Sequence, residues 1–105
     1  MTYTKFLNYN IDTVVYGYYN IGLTSIQLMS NEEGPIATAT INPSPWTIAE
    51  LNFPLDMNWN IVVDTNNCGE EIINWLIENN IAKPTRWQVQ QGYCTYPVMR
   101  LVDKH

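Results

Sequence analysis

The residues whose side chains could most clearly bind a ligand or react lie where an apolar strand meets a helix. The segment from Asp64 to Asn67 carries a carboxylate, a hydroxyl and two amides, and apolar residues follow it at helical spacing. Backbone N–H groups at a helix start can hold an anion, and carboxylate and amide oxygens can bind Mg²⁺ or Ca²⁺. The spacing is not that of a calcium loop, however, and Asn67 with Glu70 fits a capping box. We therefore favour a capping turn and expect neither a metal nor a cofactor.

Two cysteines are the next candidates for chemistry. Cys94 could act as a nucleophile only beside a group that lowers its pKa, and the one histidine of the chain, His105, is its last residue. A small buried side chain at the start of a strand is the simpler interpretation of Cys94. Because the N-terminus shows no export signal, we expect Cys68 and Cys94 to be reduced thiols rather than a disulfide. The sequence thus predicts a protein that is not an enzyme.

Charge is distributed very unevenly along the chain. Residues 6–82 contain nine carboxylates and no lysine or arginine, whereas Lys83, Arg86, Arg100 and Lys104 follow them. Such a surface repels nucleic acid and steers the protein toward a basic partner, provided that the basic residues do not fold against the carboxylates.

Trp75 adds an aromatic group to this acidic region. It flanks the apolar stripe at residues 72, 73, 76 and 77, so we expect it at the edge of the packed face, where an aromatic ring can anchor a partner. The residues predicted to bind a partner are Glu50, Asp56, Asp64, Glu70, Glu71, Trp75 and Glu78.

These residues have to be positioned by a sheet and one helix. Alternating and β-branched residues predict strands over 3–9, 13–19, 21–29, 35–41, 57–64 and 96–102, with a hairpin turn ending at Gly34. Helical spacing predicts one main helix over 68–80, closed by Asn80 in the left-handed conformation. Residues 46–54 are compatible with a short helical turn, and the Gln-rich stretch 83–91 is interpreted as a loop. The expected fold is a single α+β domain over 1–105, an antiparallel sheet of about five strands packed against that helix.

Three segments resemble a family of short proteins of unknown function from bacteriophages, plasmids and gut-bacterial mobile elements. They are Asp64-Thr65-Asn66-Asn67, the end of the helix from Glu78 to Pro84, and Gly92-Tyr93-Cys94-Thr95-Tyr96-Pro97. The resemblance covers residues 56–102 well, and the first half only through Tyr18, Gly22-Leu23 and the turn at Gly34. It implies no catalytic role for Asp64 or Cys94. It implies a genetic setting in which small acidic proteins often antagonise host defence, as anti-CRISPR proteins do.

Three functions are compatible with these features. The first is a non-enzymatic, cytoplasmic inhibitor that binds a basic nucleic-acid-handling protein of the bacterial host, such as a CRISPR effector nuclease, without contacting nucleic acid or membrane. The second is a structural or accessory protein of a mobile element that forms homo-oligomers through its sheet or Trp75. The third is a small-ligand or enzymatic module centred on Asp64 and Cys94.

Overall fold

Two small antiparallel sheets and two short helices make up the described part of the chain. The computed structural model describes residues 3–19, 22–44 and 59–102. Its elements, in chain order, are β1 (Thr13–Tyr18), β2 (Thr24–Ser30), β3 (Gly34–Thr38), β4 (Asn60–Val62), α1 (Thr65–Cys68), α2 (Glu71–Glu78), β5 (Ala82–Gln91) and β6 (Cys94–Leu101). The first sheet has the order β1-β2-β3 and the second the order β4-β6-β5.

This architecture corrects the expected α+β fold. Strand accounts for 51% and helix for only 15% of the structure, so the domain is mostly β. The strands form two three-stranded sheets rather than one sheet of about five strands, and a continuous helix over 68–80 is absent from this described stretch. The candidate helical turn in 46–54 lies outside the described residues.

Alternating burial explains the first sheet. In β2 the side chains of Thr24, Ile26, Leu28 and Ser30 are buried and the intervening ones are half-buried, which is the period of a strand that packs mainly on one face. The β2–β3 connection turns at Gly34, whose φ of 78° is the left-handed conformation expected for this glycine. The predicted hairpin turn is therefore confirmed.

The second sheet is buried on both faces at β4 and the adjoining end of β6. Ile61, Met99 and Leu101 join the main core, together with Ile72 and Leu76 of α2. Val62, Val89 and Val98 face the other way and pack with Leu23 in a smaller cluster. This double burial explains why all three residues of β4 are buried rather than alternating.

Residues 39–41 connect the two sheets. The Ala39 N–H donates to Ile26 O of the first sheet at 2.8 Å, and the Ile41 N–H donates to Val62 O of the second at 2.9 Å. The Thr40 hydroxyl accepts from the Ile26 N–H at 3.2 Å. This corner holds the sheets against a shared core.

The helical region is broken where one helix was expected. Asp64, not Asn67, is the N-cap of α1, and its side chain accepts from the Asn67 N–H at 3.2 Å. Gly69 then adopts φ 77° and ψ 172°, a conformation that no L-residue in a helix takes, and α2 begins two residues later. Neither described helix is long and apolar enough to cross a membrane.

The predicted loop over 83–91 is instead most of the ten-residue strand β5. It is an edge strand, so Pro84 is tolerated because an outer edge needs no N–H donor there. Its glutamines are exposed and Val89 is fully buried, which is why the segment looks polar in sequence. Conversely, residues 3–9 form a tight turn, not the predicted strand.

Candidate functional site: a cleft between the helix and the first turn

One face of α2 collects the polar residues of this region. Glu71, Asn74 and Glu78 are exposed and lie at helical spacing, so they share a stripe along the helix. Trp75 lies beside this stripe, but its side chain is only 3% exposed and belongs to the main core. The ring packs on Phe6, with centroids 6.3 Å apart, rather than standing at the edge of the packed face.

The end of α2 is fixed by backbone hydrogen bonds. Asn80 has φ 56°, its N–H donates to Ile77 O at 3.1 Å, and the Ile81 N–H donates to Leu76 O at 3.0 Å. These two bonds define a Schellman motif, and buried Ile81 supplies its apolar contact. The predicted closure of the helix by Asn80 is confirmed.

A tight turn faces this helix. The Phe6 N–H donates to Tyr9 O at 3.0 Å, and the Tyr9 N–H donates to Phe6 O at 2.9 Å. Both central residues are left-handed, with φ 49° at Leu7 and 69° at Asn8, as in a type I′ turn. Asn tolerates this conformation, whereas leucine is strained in it by about 1 kcal/mol or more. This backbone conformation places the half-exposed side chain of Leu7 beside the helix.

Side chains of α2 and of Asn79, its C-cap, hold the first segment in place. The Trp75 Nε1–H donates to Thr4 O at 2.8 Å. Asn79 accepts from the Thr4 N–H at 3.0 Å and donates to the Thr4 hydroxyl at 2.9 Å and to Trp75 O at 2.8 Å. We call this set of four bonds the Thr4 clamp. Since three of the four bonds join residues more than 70 positions apart, the clamp pre-forms the gap between turn and helix.

That gap is a cleft of about 490 Å³. Its lining combines apolar, amide and charged side chains, namely Lys5, Phe6, Leu7, Asn8, Glu71, Asn74, Trp75 and Glu78. The volume falls within the range of ligand-binding clefts. A surface of this kind offers two carboxylates beside the exposed side chain of Leu7, whereas Phe6 and Trp75 are almost fully buried.

The carboxylates of the cleft keep their charge exposed. Among the described residues, no lysine or arginine nitrogen lies within 4.0 Å of a carboxylate, including Lys5 across the cleft. Two of the basic residues stack on indole rings instead. The Arg100 guanidinium lies 5.4 Å from the Trp59 ring centroid, and that of Arg86 lies 5.3 Å from the Trp87 centroid. No described carboxylate is therefore neutralised by a direct ion pair, although Lys5 lines the same cleft as Glu71 and Glu78.

The structure brings together only some of the predicted binding residues. Glu71, Trp75 and Glu78 line the cleft, whereas Glu70 is exposed just before α2 and outside its lining. Asp64 is buried, and its second carboxylate oxygen accepts from the Asn67 side-chain amide at 2.8 Å. Both oxygens of this carboxylate therefore accept hydrogen bonds from Asn67 at the start of α1. Glu50 and Asp56 lie outside the described residues.

Five cleft residues escaped the sequence interpretation: Lys5, Phe6, Leu7, Asn8 and Asn74. The alternation of Tyr3, Lys5, Leu7 and Tyr9 mimicked a strand, and only Asn8, a residue that favours left-handed turns, pointed to the true conformation. Asn74 was detectable from helical spacing, because it lies three residues after Glu71 and four before Glu78.

The two cysteines are free thiols. Cys68 is 7% exposed and donates to Thr38 O at 3.4 Å. Burial, with a further effect of the Asp64 charge, raises the pKa of this thiol to about 11, so it is inert at neutral pH. Cys94 begins β6 and is half-buried. Its hydrogen bond with Tyr96 raises the pKa of that phenol but is not the cationic neighbour that a reactive thiolate requires.

Within residues 3–19, 22–44 and 59–102, no three His, Cys, Asp or Glu side chains are grouped to hold a metal ion. The described geometry is that of a small, mostly β domain with a polar cleft on its longer helix. The sequence matches, over residues 12–104, the family described as a domain of unknown function, DUF4313, and the chain belongs to that family. Neither a curated protein nor a solved structure matches the chain.

Proposed function

We propose that this protein is a non-enzymatic binding module that docks a basic protein through the carboxylate-bearing face of α2. The observation that carries the proposal is that Glu70, Glu71 and Glu78 are exposed and have no basic partner among the described residues. Free carboxylates on one helix face attract a cationic surface, accelerate association and fix orientation.

We extend the proposal to a class of partner. A protein that handles nucleic acid carries a basic groove for phosphates, and carboxylates on a rigid helix can occupy the same positions. The resemblance to short proteins of mobile elements favours a host defence protein, such as a CRISPR effector nuclease, as the target. The protein would then act as an inhibitor in the bacterial cytoplasm, without contacting nucleic acid itself.

The test compares two double charge reversals. Glu71→Lys/Glu78→Lys alters the proposed surface, and Glu32→Lys/Glu33→Lys makes the same change in net charge at the exposed β2–β3 turn. The probe is a purified, guide-loaded CRISPR effector nuclease, with association measured between about 50 and 300 mM salt, a range over which the Debye length falls about 2.5-fold. We expect only the helix variant to associate about tenfold more slowly and with a flatter salt dependence. Equal behaviour of wild type and helix variant would refute docking through α2.

A homo-oligomeric accessory protein is the second candidate. The observation in its favour is β5, a ten-residue strand at the edge of its sheet that leads to the fully exposed Tyr93 in the hairpin turn. Edge strands pair readily with other chains. Light scattering tests this candidate, because a stable dimer or larger assembly supports it and a monomer at high concentration contradicts it.

A further inference from the structure

The cleft on α2 has features that a partner bound by charge alone would not need. Its floor includes Phe6 and Trp75, which are almost fully buried, and its rim carries Glu71, Asn74 and Glu78. A partner attracted only by charge would need the carboxylates but neither a cleft nor the exposed apolar side chain of Leu7 beside them. The cleft therefore fits an inserted side chain that has an apolar stem and a cationic end.

We infer that the cleft between the turn at Leu7-Asn8 and α2 receives an arginine side chain from an extended segment of the basic partner. This inference rests on the proposed function and names the group that the partner contributes to the same site.

Arginine fits this lining for three physical reasons. Its aliphatic stem can cover the exposed side chain of Leu7, as long cationic side chains do on apolar surfaces. Its planar guanidinium is more weakly hydrated than an ammonium group, so partial burial in the cleft costs less. Its five N–H donors match an acceptor set of two carboxylates and the amide oxygen of Asn74.

The cleft is also prepared before a partner arrives. Three bonds of the Thr4 clamp fix the first segment to Trp75 and Asn79, and the fourth holds the Asn79 side chain on Trp75 O. The two backbone hydrogen bonds between Phe6 and Tyr9 hold the turn that forms the opposite wall. A pre-formed cleft loses little conformational entropy on binding, which favours recognition of a single side chain.

Lys5 allows a test in which a substitution is expected to strengthen binding. It lines the same cleft and is the one basic residue there, yet it does not pair with Glu71 or Glu78 among the described contacts. A cationic ligand is repelled by this ammonium group. Removing the charge with Lys5→Gln should therefore strengthen binding of an arginine side chain, which a merely structural role for Lys5 would not do.

The experiment uses two short peptides and the full chain. The first is acetyl-Gly-Gly-Arg-Gly-Gly-amide, and the second carries citrulline, which has the shape of arginine without its charge. Binding is followed by ¹⁵N NMR titration, with the Trp75 indole N–H and the backbone amides of Lys5–Asn8 and α2 as reporters. We expect the arginine peptide to shift these signals with a dissociation constant of about millimolar strength and the citrulline peptide to shift none.

Three test variants and one control variant make the experiment more specific. Lys5→Gln should bind the arginine peptide about two- to threefold more tightly, and Glu71→Gln/Glu78→Gln should lose binding. Asn74→Phe, which fills the cleft without changing charge, should weaken binding about tenfold. Asn66→Phe places the same ring at an exposed position of α1, outside the cleft, and should bind like wild type. Spectra of each free variant show whether it is folded.

The outcomes separate this inference from the proposed function. If Asn74→Phe binds the arginine peptide as well as wild type, or if the citrulline peptide binds equally, arginine insertion is refuted. Docking through α2 would still hold in that case if Glu71→Lys/Glu78→Lys slows association with the nuclease. If Glu71→Lys/Glu78→Lys also leaves association with the nuclease unchanged, both proposals are refuted.

Discussion

At the scale of single residues, Asn79 shows how one amide shapes the cleft. It makes three of the four bonds of the Thr4 clamp and lies directly after α2. Asparagine can serve there because its side chain offers one acceptor and two donors in a small, rigid group. The clamp therefore depends on a residue that sequence patterns identify only as part of a helix end.

We predict that Asn79→Ala lowers the free energy of unfolding by about 1–2 kcal/mol, because three partly exposed hydrogen bonds are lost and each contributes a modest net amount. Denaturant unfolding measures the change. Asn66→Ala, at an exposed helical position for which no contact is seen, is the control and should change stability by less than about 0.5 kcal/mol. Equal effects of the two substitutions would contradict the clamp.

Cys68 should make the free energy of unfolding depend on pH in the alkaline range. Its pKa is raised from 9.0 to about 11, chiefly by burial. Because the folded pKa lies above the unfolded one, the stability that this thiol contributes is complete below pH 9 and is lost as the pH rises toward 11. We predict a loss of about 2 kcal/mol over this window for wild type relative to Cys68→Ala, whose smaller side chain removes the titrating group.

The measurement is the free energy of unfolding from pH 8 to 11 for both proteins. Lysines and tyrosines titrate in the same range, so the difference between the two curves isolates Cys68. Parallel curves would show that the thiol does not titrate differently in the folded state. Alkylation at pH 8 provides a second readout, in which Cys94 should react well before Cys68.

At the scale of elements, the helical region shows what sequence can and cannot predict. Asn80, followed by apolar Ile81, predicted the end of α2 correctly because the Schellman motif depends on neighbouring residues only. The start was wrong, since both Asp64 and Asn67 are good caps and Gly69 was compatible with a helix interior at a modest cost. Packing decided between them: buried Asp64 caps α1, and the break at Gly69 redirects α2 along the core.

We predict that Gly69→Ala lowers the free energy of unfolding by about 1–3 kcal/mol. Its φ of 77° and ψ of 172° are accessible essentially to glycine alone, and an added Cβ would also collide with the Glu71 carboxylate. A D-alanine at the same position, introduced by ligation at Cys68, is the control because a D-residue adopts positive φ without strain. If L-alanine is neutral, the two helices can join into the single helix expected from sequence, and the break is not required.

Two further elements were mispredicted for one physical reason. The polar residues of the segment 83–91 led to the prediction of an exposed loop. They are polar because β5 is an edge strand with one face in water. Residues 3–9 alternate like a strand, yet no strand within the described residues pairs with them, and the two-residue turn at Leu7-Asn8 closes them on themselves. In both cases the residue pattern does not show which backbone pairing the segment makes, with β6 for β5 and within the turn itself for residues 6–9.

At the scale of the whole molecule, the cleft is a product of long-range packing. The uneven charge of the chain was evident from sequence, and so were Glu71, Trp75 and Glu78 as neighbours on one helix. The turn that faces them, and the stacking of Arg86 and Arg100 on indole rings away from the carboxylates, were not. Helical spacing predicts which residues share a helix face, but not what packs opposite it.

The junction of the two sheets gives the last prediction. Thr40 is buried, its hydroxyl accepts from the Ile26 N–H, and it lies 2.9 Å from the Tyr19 hydroxyl. Thr40→Val keeps the shape but leaves the Ile26 N–H buried without its partner, so we expect a loss of about 1–3 kcal/mol in the free energy of unfolding. Thr38→Val, an exposed position in β3, is the matched control. A loss no larger than that of the control would mean that the sheets are held together by apolar packing alone, whereas the expected loss assigns the corner hydroxyl a measurable share in joining them.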